Sequence, residues 1–105
     1  MISNDGLPNT AWLIPLDGSR KGETLLLSMP STTLGSAEPA DIVLPDPEMD
    51  RLHATIMHAH GGYTLVDSDS KTGIYLNQRR GTRFDLVDND VIRLGNTQLK
   101  FKTIV

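Results

Sequence analysis

The side chains best placed to do chemistry lie between apolar runs in Asp41-Ile42-Val43-Leu44-Pro45-Asp46-Pro47-Glu48-Met49-Asp50-Arg51-Leu52-His53-Ala54-Thr55-Ile56. Two prolines stiffen a loop there, and Asp50, Arg51 and His53 bunch at its exit. A rigid loop with clustered polar groups is where a binding site would sit. Other constellations are weaker. His58 and His60 share a face if a strand runs through both, but zinc needs a third ligand and a second shell, so no metal is expected. Asp67-x-Asp69-x-Lys71 is spaced like the start of a calcium loop. Lys71, Thr72 and Gln78 then stand where that loop needs an oxygen ligand, a glycine and a glutamate, and an Asx-rich turn is the better reading. No serine sits in a Gly-x-Ser-x-Gly elbow, so neither catalysis nor a cofactor is expected. Arg79-Arg80-Gly81-Thr82-Arg83-Phe84 could touch phosphates. Five aromatics in the chain are too few for a stacking platform, and a solvated hairpin tip is expected.

The bulk properties narrow the classes further. At 105 residues the chain is sized for one domain with one core. It has no cysteine, which excludes a disulfide framework and a thiolate metal site. No apolar run approaches the roughly 20 residues of a membrane helix, and the N-terminus lacks the basic-then-apolar pattern of a signal peptide. No membrane insertion and a cytoplasmic location are expected. A net charge of −3 speaks against nucleic acid, which attracts basic surfaces. The charge is uneven. Between Ser36 and Asp50 stand Glu38, Asp41, Asp46, Glu48 and Asp50 without a Lys or Arg, whereas Asn77 to Arg83 carries Arg79, Arg80 and Arg83 without an acid.

The elements that must position these groups are short strands. Residues 1–10 read as a polar, flexible tail and residues 11–105 as the domain. Ala11 to Leu16 is apolar and short, with Pro15 suggesting an edge or a bulge. A turn at Asp17 to Gly22 leads to Thr24-Leu25-Leu26-Leu27, which completes a first hairpin. Ser31 to Gly35 is β-branched, and Gly35 supplies either a positive φ or a close backbone approach. Asp41 to Leu44, Ala54 to His58 and Tyr63 to Val66 follow, the last two about a His60-Gly61-Gly62 turn. Ile74-Tyr75-Leu76 is a strand, Asn77 to Gly81 a turn, and Phe84-Asp85-Leu86 a short run. Val91 to Leu94 and Gln98 to Phe101 form a final hairpin about Gly95-Asn96. Nine to eleven short strands without a helical period argue for an all-β antiparallel sandwich or barrel. In a sandwich, alternate loops gather at one end. Those near Gly35, near Arg51 and His53, and at Lys71-Thr72-Gly73 could clamp an extended peptide.

Five stretches in order resemble forkhead-associated (FHA) domains. The family's pattern runs Gly-Arg, then Asp-Ile-x-Leu, then Ser-x-x-His-Ala-x-Ile, then Asp-x-x-Ser-x-Asn-Gly-Thr-x-Val-Asn-Gly, then Leu-x-x-Gly-Asp-x-Ile-x-Leu-Gly. This chain has Leu34-Gly35-Ser36, Asp41-Ile42-Val43-Leu44, Asp50-Arg51-Leu52-His53-Ala54-Thr55-Ile56, Asp67 through Gln78, and Leu86 through Gly95. The resemblance spans nearly the whole chain and implies an FHA-like β-sandwich of eleven strands whose loops at one end bind phosphothreonine peptides.

Carried over residue by residue, the family's phosphate- and peptide-holding arginine is Ser36 here. Its phosphate-donating serine is Asp50, its peptide-binding asparagine is Thr72, and the threonine after the glycine is Ile74. Gly35, His53 and Gly73 match and read as structural loop residues. Phosphothreonine needs charge-assisted donors, and an ionised Asp50 offers only acceptors. Arg51 and Lys71 flank the pocket, Arg51 being expected to pair with Asp50 or a neighbouring acid. The expectation is a non-catalytic protein–protein interaction module, degenerate in its phosphothreonine motifs, that binds a protein or peptide and belongs to a larger protein or assembly. The alternative is a working phosphothreonine-peptide reader in signalling that uses Arg51 and Lys71 as substitute phosphate contacts. The candidate site is Ser36, Asp50, Arg51, Lys71 and Thr72.

Overall fold

The computed structural model describes residues 10–104. Their alternation of apolar and polar positions resolves into eleven strands: β1 (Thr10–Pro15), β2 (Leu25–Leu26), β3 (Ser31–Gly35), β4 (Ile42–Val43), β5 (Ala54–Ala59), β6 (Gly62–Asp67), β7 (Ile74–Leu76), β8 (Arg79–Gly81), β9 (Arg83–Leu86), β10 (Val91–Leu94) and β11 (Thr97–Ile104). They form a six-stranded sheet, β2-β1-β11-β10-β7-β8, and a five-stranded sheet, β4-β3-β5-β6-β9. Every pairing is antiparallel except β3 with β4. The inward positions of both sheets make one core. Leu13, Leu99, Phe101, Ile92, Leu94 and Ile74 from one sheet meet Leu34, Ile56 and Leu65 from the other, all essentially inaccessible. This is the expected all-β sandwich.

Several local expectations change. Residues 1–9 of the expected tail lie outside the described residues, and Thr10 already pairs with Ile104. Pro15 is not on an edge strand, because β1 lies between β2 and β11. β2 pairs only with Trp12 and Leu13, so proline's missing N–H falls where that ladder has ended. The Asp41–Leu44 run shortens to two paired residues. The expected turn at Asn77 to Gly81 is a two-residue turn followed by strand β8. Asn77 and Gln78 both have positive φ, 50° and 72°, as a type I′ hairpin turn needs. The Asn77 side chain holds this turn: its oxygen accepts the Val91 N–H at 2.9 Å and its amide donates to Asp90 at 2.9 Å.

Candidate functional site

Three loops meet at one end of the sandwich: residues 36–41 after β3, residues 44–53 between β4 and β5, and residues 68–73 between β6 and β7. Main-chain packing sets their approach. A Cβ on Gly35 would land on the Arg51 carbonyl, so glycine there serves close approach. Beyond it the Ser36 N–H donates to the Asp50 carbonyl at 2.9 Å.

His53 joins the second loop to the third. Its side chain is fully buried. Nδ1 accepts the Asp50 N–H at 3.0 Å, so Nε2 carries the hydrogen and donates to the Gly73 carbonyl at 2.8 Å. The third loop is a network of local side-chain bonds. Asp67 accepts the Ser70 hydroxyl at 2.6 Å and its N–H at 3.2 Å, and the Ser70 hydroxyl accepts the Gly73 N–H at 2.9 Å. Gly73 turns the chain with φ +80°, a conformation that disfavours a side chain.

Asp46 ties the loops to the far sheet. Its carboxylate accepts the Thr97 hydroxyl at 2.7 Å and the Asn96 and Glu48 N–H groups at 2.8 Å each. Burial pushes its pKa up, the Thr97 hydroxyl and the two amides pull it down, and the balance lies below the ordinary aspartate value.

All five candidate residues, Ser36, Asp50, Arg51, Lys71 and Thr72, line one open groove of about 610 Å³ together with Pro47, Glu48 and Met49. Asp50 reaches across it, and its Oδ2 accepts the Lys71 N–H at 3.0 Å. The Thr72 hydroxyl donates to the Glu48 carbonyl at 3.1 Å. Arg51 does not form the expected ion pair. Its guanidinium donates to the main-chain carbonyl of Glu38 at 3.0 Å, and among the described residues no carboxylate lies within salt-bridge distance of it. The Asp50 carboxylate is turned instead to a main-chain amide. Pro47, Glu48 and Met49 were not singled out as site residues from the sequence. The signal available was their place between the stiffening prolines and Asp50.

His58 and His60 do not share a strand face. β5 ends at Ala59, His60 sits in the turn with φ 53°, and His58 stacks on Tyr63 with ring centroids 4.1 Å apart. Among the described residues no group of His, Cys, Asp and Glu could hold a metal ion. No helix there is long and apolar enough to cross a membrane.

An eleven-stranded sandwich with a peptide-sized groove at the meeting point of these loops defines an FHA-type interaction module. Comparison with known proteins agrees. An FHA domain solved in a study of phosphothreonine-dependent FHA domain interactions superposes with a TM-score of 0.85 at 30% identity, covering 91% of this chain and 98% of that one. The family model described as "Inner membrane component of T3SS, cytoplasmic domain" matches residues 15–104, and the chain belongs to this family of FHA-type domains. The glycogen accumulation regulator GarA of Mycolicibacterium smegmatis is 32% identical over 100 residues, 94% of this chain and 63% of that protein. The oxoglutarate dehydrogenase inhibitor of Corynebacterium efficiens is 34% identical over 98 residues, 92% of this chain and 69% of that protein. The chain thus spans a little under or over two thirds of these relatives' length.

Proposed function

We propose that this domain is a non-catalytic module that binds a protein or peptide partner in its loop groove without strong selectivity for phosphothreonine. The observation that carries the reading is the Asp50–Lys71 bond. A fixed carboxylate already occupies a main-chain donor of the groove, so an incoming phosphate would find that N–H engaged and an anion beside it. At about 4 Å and an effective dielectric near 20, each such anion pair costs on the order of 4 kcal/mol. The two ring nitrogens of His53 are both engaged with backbone groups, which leaves no free imidazole for acid–base chemistry in the groove. The similarity to regulators and to FHA domains supports the same class, and the family description supports a cytoplasmic location.

A second reading, a phosphothreonine-peptide reader using Arg51 and Lys71, has one observation in its favour. The Lys71 ammonium and the Ser36 hydroxyl have no partner among the described residues, and Arg51 is held only by a carbonyl. A peptide library in matched phosphothreonine and threonine forms, titrated by fluorescence anisotropy, separates the two. The first reading expects equal affinities within about threefold. Phosphate-dependent binding that disappears in Arg51→Ala establishes the second.

A further inference from the structure

The outer face of the six-stranded sheet carries a charge pattern unlike the rest of the molecule. The pairing register lines up outward-pointing side chains in rows. Leu26, Trp12 and Lys102 form one, Ile14, Lys100 and Val91 a second, and Gln98, Arg93, Tyr75 and Arg80 a third. These rows hold two lysines and two arginines and no carboxylate, in a chain of net charge −3. Lys102 is paired with Asp88 at the margin; Lys100 has no partner among the described residues. The other sheet offers no such field. Its outward rows, Ser31-Met57-Thr64-Asp85 and Thr33-Thr55-Val66-Arg83, carry one acid and one cation.

Arg93 is held in place. Its guanidinium carbon lies 3.9 Å from the centroid of the Tyr75 ring, and Nη1 donates to the Gly95 carbonyl at 2.9 Å. That uses one of its five donors, and no carboxylate pairs with it among the described residues. Beside it lies a cavity of about 300 Å³ lined by Asn77, Gln78, Val91, Arg93 and Gln98. Asn77 is engaged by Asp90 and the Val91 N–H, but the side-chain amides of Gln78 and Gln98 make no hydrogen bond with described residues. A pre-set guanidinium and two free side-chain amides beside Val91 match a carboxylate side chain next to an apolar one.

We propose that this cavity and the rows around it form a second docking site, sharing no residue with the loop groove, for an acidic peptide segment of a protein partner. An Asp or Glu side chain binds Arg93 with help from Gln78 and Gln98, Lys100 adds attraction, and a neighbouring apolar side chain covers Val91 and Ile14. Charge complementarity picks this occupant: the rows carry four cations, of which only Lys102 is paired with a carboxylate among the described residues, interleaved with apolar side chains, whereas a polyanion the size of a nucleic acid would also meet the net negative charge of the whole domain.

The test is an amide NMR titration of the full chain with a short peptide alternating Glu and Leu, with its Gln-for-Glu counterpart as control. Saturable shifts at Tyr75, Val91, Arg93, Gln98 and Lys100 are expected. Affinity should fall about tenfold or more for the Gln peptide and in Arg93→Gln. Lys100→Gln breaks no side-chain hydrogen bond or ion pair among the described residues and should weaken binding about threefold, so it tests the same field should Arg93→Gln not fold. The proposal is overturned by shifts confined to Ser36, Asp50, Arg51 and Lys71, by equal affinity for the Gln peptide, or by the absence of saturable binding. It is equally overturned by a dimer in sedimentation of the protein alone that buries these same residues.

Discussion

Replacing His53 with alanine removes the pin between two of the three loops that build the groove. The wild-type ring is fully buried and satisfies two backbone groups, the Asp50 N–H at 3.0 Å and the Gly73 carbonyl at 2.8 Å. Leaving each of these without a partner costs about 1–3 kcal/mol, and the emptied ring volume adds about 1–2 kcal/mol after partial collapse or entry of water. The sum, about 3–8 kcal/mol, is comparable with the whole stability of a small domain, about 5–15 kcal/mol. Urea unfolding followed by Trp12 fluorescence measures it. With a slope near 1.5 kcal/mol/M the midpoint should fall by about 2 M or more at unchanged slope. Native-state hydrogen exchange should show the Asp50 amide losing protection before the core strands. A loss below about 1 kcal/mol, with the Asp50 amide still protected, refutes the pin.

Gly35→Ala should destabilise by about 3 kcal/mol or more, because the added methyl lands on the Arg51 carbonyl; thermal unfolding reads it, and a change within about 0.5 kcal/mol contradicts the close approach. Asp46→Asn should cost about 1.5–3 kcal/mol at neutral pH through weaker bonds to Thr97, Asn96 and Glu48. Since the folded pKa of Asp46 lies below its unfolded value, its contribution is complete above the ordinary aspartate pKa near 3.9 and is lost as pH falls through the lowered folded value. The gap between wild type and Asp46→Asn in urea unfolding should therefore be constant from about pH 7 to 5 and shrink below about pH 4; a gap that widens there contradicts the assignment.

Much of the fold is legible because strand alternation and turn chemistry are local. Ile42, Ala54 and Ile56 read as core, and the His60-Gly61 turn reads as a hairpin. What escapes reading has no local signature. Strand β8 is all polar and sits at a sheet edge with exposed faces, so Arg79-Arg80-Gly81 offers no alternation and resembles a turn. Asp46 and Thr97 stand 51 positions apart, and a carboxylate bonded to distant amides leaves no periodicity behind. Ser36, Asp50, Arg51, Lys71 and Thr72 gather in one groove; the alternation of loops in a sandwich brings their three loops to one end, and the family resemblance picks out the residues. The directions of Asp50 toward Lys71 and of Arg51 toward Glu38 are main-chain hydrogen bonds, whereas sequence reasoning looks first for opposite charges.

In the proposed reading an intact FHA frame surrounds a pocket altered at four positions, of which Ser36 and Asp50 bear directly on phosphate. The most direct measurement compares phosphothreonine and threonine forms of one peptide library on wild type and on the double variant Ser36→Arg with Asp50→Ser. Exchanging an engaged anion for a hydroxyl and adding a guanidinium should create a phosphate preference of about tenfold or more where the wild type has none. A wild type that already prefers phosphopeptides by that factor, with no gain or a loss in the double variant, contradicts it.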